Sequence, residues 1–422
     1  MSELFSLFYE TKGICTDTRN ILPDSLFIAL KGHNFNGNLF AENAIVKGAK
    51  FAIVDQKEFA DENKIFFVPN TLNFLQDLAR YHRAKFNIPV IGITGSNGKT
   101  STKELMYSVL SKKFNTLATQ GNLNNHLGVP FTLLRMTKEH DMAIIEMGAN
   151  QPGDIQELCE IASPTHGIIT NIGKAHLEGF GDLEGVVKTK SALYQSVRKQ
   201  NGVLFYNEDD KLIKSLLDNT TENISYGKEN AVITGRILEL TPYISMSWKS
   251  SAYRSGNINT NMVGNYNFYN FLAAIVIGNY FGIKERNISD AIATYKPENK
   301  RSQVLETKKN ILIVDCYNAN PTSMMLALES FNDFNHNKKI AILGDMLELG
   351  EESDLEHQKI IDYCKGNKID FITVGPIFLK LREGGAYETV GELSSELTDI
   401  DSSAILLKGS RGIELEKLVT YL

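Results

Sequence analysis

The residues best able to do chemistry stand together in Ile91-Gly-Ile-Thr-Gly-Ser-Asn-Gly-Lys-Thr-Ser-Thr-Lys-Glu. Glycines at 95 and 98 let the backbone curl around a polyphosphate without Cβ clashes, so the N–H groups from Gly95, Ser96, Asn97 and Gly98 to Ser101 can point at one anion. The following helix offers its N-terminus to the same charge. Lys99 then sits on the outer phosphates, and the Thr100 hydroxyl reaches Mg²⁺. The general signature G-x-x-x-x-G-K-[ST] asks for glycine at 93, where this chain has Ile93. Strand and helix patterns flank the turn correctly, which favours a nucleoside triphosphate site over an empty strand-to-helix turn. By itself the loop does not separate a hydrolase, a kinase, a ligase and a motor.

Other polar residues gather at the ends of apolar runs. Glu146 closes Met142-Ala-Ile-Ile-Glu; in a parallel sheet it faces the phosphate loop, where a carboxylate binds Mg²⁺ directly or through water. A solvated strand end is the alternative. His176, in Asn171-Ile-Gly-Lys-Ala-His, reads equally as a loop histidine or a ligand. Lys188 and Lys190 fall in a helical pattern from Leu183, where lysines are most often surface charges. Asn267 and Asn270 open an apolar helix and either cap it or hydrogen-bond a base. Arg301 stands between domains and can bring charge to a phosphate on closure. Asp315, Asn318 and Asn320 crowd one more strand end, with Asn320-Pro321 marking a turn. Lys408 and Arg411 follow another, as surface charges or as partners of a substrate carboxylate.

The elements that must position these groups are legible from periodicity. Up to Phe86, short strands such as Phe51-Ala-Ile-Val alternate with helices, the last from Thr71 to Ala84. From Val90 the order strand, glycine turn, helix begins an α/β domain with inner parallel strands. Residues 201–260 read as an antiparallel extension, and Asn267 to Phe281 as a buried helix. After Lys296-Pro-Glu-Asn-Lys-Arg, four buried-strand runs alternate with helices, a third α/β unit. The expected domains are 1–86, 87–298 and 299–422, in keeping with a chain of 422 residues at roughly 150 per domain.

Composition bounds the function. Charged residues make up 22% and the apolar set 42%, which argues against global disorder. A formal net charge of -6, and no tract of interleaved aromatic and basic residues, argue against nucleic acid as a partner. The start, Met1-Ser-Glu-Leu-Phe, does not read as a secretory signal, and Phe271 to Ile277 is too short to span a bilayer, so no stable membrane insertion is expected. Cys15, Cys159, Cys316 and Cys364 are scattered without metal or redox spacing, which suits a reducing cytoplasmic setting.

Several segments, taken in order, resemble the Mur ligases, the ATP-dependent amide-forming enzymes of peptidoglycan precursor synthesis. They are Cys15-Thr-Asp-Thr-Arg-Asn, Thr94-Gly-Ser-Asn-Gly-Lys-Thr, Gly121-Asn-Leu-Asn-Asn-His-Leu-Gly-Val-Pro, Glu146-Met-Gly-Ala-Asn-Gln-Pro-Gly-Asp-Ile, Asp315-Cys-Tyr-Asn-Ala-Asn-Pro-Thr-Ser-Met and Leu407-Lys-Gly-Ser-Arg-Gly, with Leu343-Gly-Asp-Met-Leu-Glu-Leu-Gly between the last two. The resemblance spans essentially the whole chain. It implies a three-domain α/β architecture: a UDP-sugar domain, a central P-loop ATPase domain, and a C-terminal Rossmann-like domain for the amine substrate.

Within that resemblance the expected reaction joins D-alanyl-D-alanine to UDP-N-acetylmuramoyl-tripeptide through an acyl phosphate, with ATP and Mg²⁺, in a monomer. Another amide ligase of the Mur or folylpolyglutamate type, and an inactive nucleotide-binding regulatory module, are the alternatives. The resemblance implies Lys99, His176, Lys190 and Arg301 as the catalytic set and Thr100, Glu146, His176 and Lys190 around the metal, Lys190 being carbamylated. It implies Asn267, Asn270, Arg301 and Asp315 beside the nucleotide. Substrate contacts are assigned to Thr16, Asp17, Thr18, Arg19, Lys31, Asn124, Asn125, Asn318, Asn320, Lys408 and Arg411. Lys300 stands where the family usually has glycine, and Tyr266 where it usually has histidine.

Overall fold

Short runs of Val, Ile and Leu, many of them followed by a helix, build three larger sheets, beside a two-stranded ribbon of Lys31–Gly32 and Phe35–Asn36. The computed structural model describes residues 2–422 apart from Glu62, Ala175, His176, Thr241, Asn299, Glu383, Thr398 and Asp399. In the first sheet Ile14–Cys15, Leu26–Ile28, Phe51–Val54 and Ile65–Phe67 lie side by side, all parallel. In the third, Ile311–Asp315, Ala404–Lys408, Lys339–Gly344, Asp370–Val374 and Ala386–Tyr387 run parallel, and Gln303–Glu306 adds an antiparallel edge.

The central sheet carries the phosphate loop. Its order is Ile258–Asn259, Ser245–Lys249, Ile233–Glu239, Glu222–Gly227, Val203–Asn207, His166–Ile169, Val90–Thr94, Met142–Glu146, Thr116–Ala118. The antiparallel extension expected over residues 201–260 is therefore confined to its far edge. Val203–Asn207 and Glu222–Gly227 continue the parallel sheet, and only Ser245–Lys249 and Ile258–Asn259 run against their neighbours. The reason is coverage: Val203, Leu204 and Phe205 are buried in succession, as in a strand with packed layers on both faces. Short apolar runs in that region hid this from a count of alternation.

Alternate residues feed two cores. Ile91, Ile93, Ile144 and Ile168 pack with the helices Lys99–Leu110 and Asn267–Tyr280. Val90, Ile145 and Ile169 face the helices Asp154–Ala162 and Leu183–Lys199 on the other side. Each fully buried Ile, Leu or Phe contributes about 1.5–3 kcal/mol relative to exposure. That is ample to fix the strands in register and bring their polar C-terminal residues to one edge. Val90–Thr94 lies between His166–Ile169 and Met142–Glu146, so connections leave to opposite sides at its end and open a crevice there.

Gly92 permits the close approach of the helix Leu183–Lys199, because a Cβ here would stand 2.7 Å from Leu193 Cδ1 and 3.2 Å from Pro164 Cβ. Among the described residues no helix is long and apolar enough to cross a membrane. Gly92→Val is expected to destabilise the chain by roughly 1–3 kcal/mol through overpacking. It should lower the midpoint of thermal unfolding by several degrees, and a midpoint equal to that of the unsubstituted chain would refute the packing described.

Candidate active site

A cavity of about 600 Å³ opens where the C-terminal edge of the central sheet meets that of the third. Its wall includes Ser96 to Ser101, Glu146 and Asn171 from the central sheet, and Arg301, Asp315, Tyr317, Asn318 and Lys408 from the third. Residues as far apart in sequence as Ser96 and Lys408 thus share one hollow only because two sheets present the same edge to each other.

The loop is shaped by its neighbours. Gly95 has φ +148°, and a Cβ on it would lie 1.9 Å from Thr170 Oγ1; Gly98, at φ +77°, caps the helix Lys99–Leu110 and presses against Asn270 Oδ1. Thr170 Oγ1 and Asn171 Nδ2 donate to the Asn97 carbonyl at 2.6 and 2.9 Å, while Asn97 N donates to Asn171 Oδ1 at 3.0 Å. Lys99 Nζ donates to the Gly95 carbonyl at 2.7 Å. Desolvation and the nearby Arg301 charge lower the Lys99 pKa to about 8 against the opposing pull of Glu146.

Glu146 is almost wholly buried at 1% exposure, yet it is a carboxylate. Its Oε1 accepts from Thr100 Oγ1 at 3.0 Å and from Asn124 Nδ2 at 2.8 Å, and its backbone N–H donates to Thr119 Oγ1 at 3.0 Å. Its Oε2 is buried with no partner among the described residues. An open carboxylate oxygen beside a threonine hydroxyl at a phosphate loop suits Mg²⁺, which takes one or two protein oxygens and completes its shell with phosphate and water. The chain's residues therefore fit that ion. Asn124, expected to contact substrate, is instead tied to Glu146.

Lys190 lies inside the protein, 1% exposed, and is not part of the cavity wall. Its Nζ is 5.9 Å from the centre of the Phe180 ring. Desolvation and the Lys99 charge hold its pKa well below the ordinary lysine range. A surface role for Lys190 is excluded by this burial. His176 lies outside the described residues.

The third domain brings Arg301 to the cavity. Lys300 and Ser302, on either side of it, have φ of +57° and +49°, a left-handed backbone that favours glycine. The Arg301 guanidinium stacks over Tyr317, 3.8 Å from the ring centre. Asp315 accepts from Lys408 Nζ at 2.6 Å and from Ser302 N at 3.2 Å. Lys408, which also lines the cavity, thus forms a buried ion pair that braces the Arg301 segment. Arg411 is exposed, 5.7 Å from the Tyr317 ring centre. Asn320 caps the helix Pro321–Asn332 and donates to Asn97 Oδ1 at 2.8 Å.

Asn267 and Asn270 are buried and hold one another: Asn270 Nδ2 donates to Asn267 Oδ1 at 2.8 Å, and Thr102 Oγ1 donates to Asn270 Oδ1 at 3.0 Å. Neither is the cap of its helix, whose N-cap is Tyr266 without a side-chain bond. Both line the cavity. In the first domain Arg19 pairs with Asp17 at 2.8 Å and Lys31 with Asp55 at 2.8 Å. Lys47 Nζ donates to the Thr18 carbonyl at 2.8 Å, and Thr16 is half-buried beside them. This cluster lies apart from the cavity wall. Asn125 lines the cavity and its Oδ1 accepts from Gly128 N at 2.9 Å.

Sequence reasoning missed Tyr317, Tyr266 and Ser302 as site residues. The Tyr266 hydroxyl lies 2.8 Å from Ser302 Oγ, and burial raises its pKa. It also missed Thr170, which shapes the loop, and Lys174, whose Nζ reaches Glu352 and Glu356 at 2.9 and 3.1 Å across the two domains. A polar residue directly after a strand end was the available signal for Thr170; the others required the fold.

Three family models match the chain: Mur ligase family, catalytic domain over residues 10–83; Mur ligase middle domain over 93–278; and Mur ligase, glutamate ligase domain over 300–397. The chain is 32% identical to the UDP-N-acetylmuramoyl-tripeptide–D-alanyl-D-alanine ligase of Bacillus subtilis, over 96% of this chain and 92% of the relative. It is also 32% identical to the Escherichia coli ligase of that name, over 97% of this chain and 93% of the relative. Among solved structures, MurF from Acinetobacter baumannii superposes with a TM-score of 0.89 at 29% identity, covering 99% of this chain and 97% of that one. MurF ligase from Thermotoga maritima in complex with ADP gives 0.87 at 26% identity, covering 100% and 98%.

The Lys99 pKa of about 8 sets a pH dependence. Below that value the free site carries the ammonium; as pH rises through it the charge is lost before a nucleotide arrives, so affinity falls. Fluorescence titration with ADP from pH 7 to 9.5 should show weakening above about 8, and Lys99→Met should abolish that inflection along with most of the affinity. A flat profile in the unsubstituted enzyme would contradict the assignment.

Proposed function

The chain belongs to the Mur ligase family, and on that premise we infer that it joins D-alanyl-D-alanine to UDP-N-acetylmuramoyl-tripeptide with cleavage of ATP to ADP and phosphate. The reaction belongs to peptidoglycan precursor synthesis, and the ligases of Bacillus subtilis and Escherichia coli are named for the same two substrates. The observation that carries the mechanism is the buried Glu146 carboxylate with one free oxygen, set beside Thr100 in a cavity that Lys99 and Arg301 also line.

The residues divide the work. Loop N–H groups and Lys99 hold the polyphosphate of ATP. The terminal carboxylate oxygen of the tripeptide attacks the γ-phosphorus, the bond to the β-phosphate oxygen breaks, and an acyl phosphate and ADP result. Arg301, stacked on Tyr317, supplies positive charge to the transferred phosphoryl group. A magnesium ion held by Glu146 and Thr100 would neutralise phosphate charge when bound. The neutral amine of D-alanyl-D-alanine then attacks the acyl carbon; the tetrahedral intermediate expels phosphate, the ammonium proton leaves, and an amide remains. The two facing sheets exclude water from the acyl phosphate, which would otherwise hydrolyse.

Lys190 is assigned as the carbamylated lysine. Burial lowers the pKa of its amine and so favours the neutral form, which adds CO₂, releasing a proton and leaving an anionic carbamate. That anion offsets the neighbouring Lys99 charge and adds a second negative group beside the metal pocket, and His176 is assigned as a ligand of a second metal. Arg411, beside Tyr317, is assigned to the dipeptide carboxylate, and Asn318 to the same substrate. Asp17, Thr18, Arg19, Thr16 and Lys31 are assigned to the UDP-sugar. We assign the reaction to the cytoplasm, in keeping with four free cysteines.

Purified enzyme supplied with ATP, Mg²⁺ and UDP-N-acetylmuramoyl-tripeptide should yield the pentapeptide mass only with D-alanyl-D-alanine. Product with glutamate, L-lysine or meso-diaminopimelate in its place would redirect the assignment within the family. Lys190→Ala should lower kcat by at least about a hundredfold. Enzyme equilibrated with ¹³C-bicarbonate should show a carbamate carbon signal that Lys190→Ala lacks; the same signal in the variant would dismiss the carbamate at this position.

A further inference from the structure

One contact joins the phosphate loop directly to the third domain. Asn320 Nδ2 donates to Asn97 Oδ1 at 2.8 Å, across 223 positions of sequence. Asn320 is held rigidly for this purpose. Its Oδ1 accepts from Ser323 N at 2.9 Å and its backbone N–H donates to Ser323 Oγ at 3.1 Å, a reciprocal capping box at the start of the helix Pro321–Asn332. Only its amide nitrogen remains to reach outward.

The consequence lies on Asn97. An amide is planar, with oxygen and nitrogen on opposite sides of its axis, so engaging Oδ1 fixes where Nδ2 goes. Asn97 Nδ2 is buried and has no partner among the described residues. Asn97 is in the cavity wall with Lys99 and Arg301. Its backbone is held independently through Thr170 and Asn171, so the side-chain amide can respond to Asn320 without moving the loop. A buried donor without an acceptor is destabilising, and an anionic oxygen in the cavity would satisfy it.

We propose that Asn320 is a positioning residue: by engaging Asn97 Oδ1 from the third domain, it presents Asn97 Nδ2 as a donor to the terminal phosphate of ATP. The inference rests on the ligase reading above and extends it. Nucleotide grip at the γ-phosphate then depends on the domain that carries the amine substrate being seated. ADP, lacking that phosphate, is indifferent to the contact. The third domain thereby favours the nucleotide that can still react.

Asn320→Asp tests this without removing the cap, because aspartate caps a helix as well as asparagine does. Its carboxylate cannot donate to Asn97 Oδ1. The Asn97 amide turns over to donate to it, and an oxygen then faces the phosphate. The melting temperature should stay within roughly 2 °C. Affinity for AMP-PNP with Mg²⁺ should fall about tenfold or more while that for ADP stays within about twofold, as expected for loss of one hydrogen bond to a charged group. Asn97→Ala should lose AMP-PNP affinity alone, and Asn97→Ala/Asn320→Asp should return to the level of Asn97→Ala, since no amide is left to misdirect. Equal losses for both nucleotides, no loss in Asn320→Asp, or losses that multiply in the double variant would each overturn the proposal. Ligation by the unsubstituted enzyme is measured alongside: its failure speaks against the ligase reading, whereas the nucleotide comparison needs no amine and judges the contact by itself.

Discussion

The site depends on a carboxylate buried with one oxygen satisfied and the other left open. Glu146 ends a strand whose five residues are all buried, so its side chain meets the phosphate loop out of water. Thr100, Asn124 and the backbone contact with Thr119 hold it in place. Burying a negative charge without a partner is expensive, and the nearby Lys99 and Arg301 supply compensating charge. Desolvation, aided by the Arg301 charge, lowers the Lys99 pKa, and desolvation together with the Lys99 charge lowers that of Lys190. One buried carboxylate and its two lysines therefore form a single electrostatic unit. Glu146 pulls the Lys99 pKa up, and the Lys99 charge pulls that of Lys190 down.

The third domain completes that unit by geometry and charge. Arg301 enters on a backbone turn with left-handed residues on both sides, stacked on Tyr317 and braced by the Asp315–Lys408 pair. The left-handed φ at Lys300 is one that glycine adopts without strain; this chain accepts a strained lysine, whose Nζ pairs with Glu416 at 3.1 Å. Lys174, reaching Glu352 and Glu356, clamps the loop after His166–Ile169 to the third domain. The domain contact combines these polar links around the cavity with Val263 and Tyr243, which pack into the core of the third domain.

Some sequence motifs proved to be scaffolding. In Leu343-Gly-Asp-Met-Leu-Glu-Leu-Gly, Asp345 accepts from Ile377 N and Phe378 N at 2.8 and 3.0 Å, and His357 Nε2 accepts from Met346 N at 2.9 Å. Gly375, at φ +127°, leaves no room for a Cβ beside Asp345. These bonds hold the loops at the end of the third sheet. Asn267 and Asn270 likewise serve each other and Thr102, although they line the cavity. Residue type alone does not separate a buried polar brace from a ligand contact, because both need the same donors and acceptors.

What the amino-acid order determined by itself was local: apolar runs of strand length, the glycine turn that requires left-handed backbone, the helix that follows it, and the succession of three α/β units. Those features depend on steric limits and periodicity within a few residues, so they can be read along the chain. The tertiary structure alone decided that Val203–Asn207 joins the parallel sheet, that Lys190 is buried and not a surface charge, that Lys408 belongs to Asp315, and that Asn320 reaches Asn97. Each of these turns on which distant surfaces meet and how much water they exclude, and burial, pairing and pKa are set by that exclusion and not by neighbours in sequence.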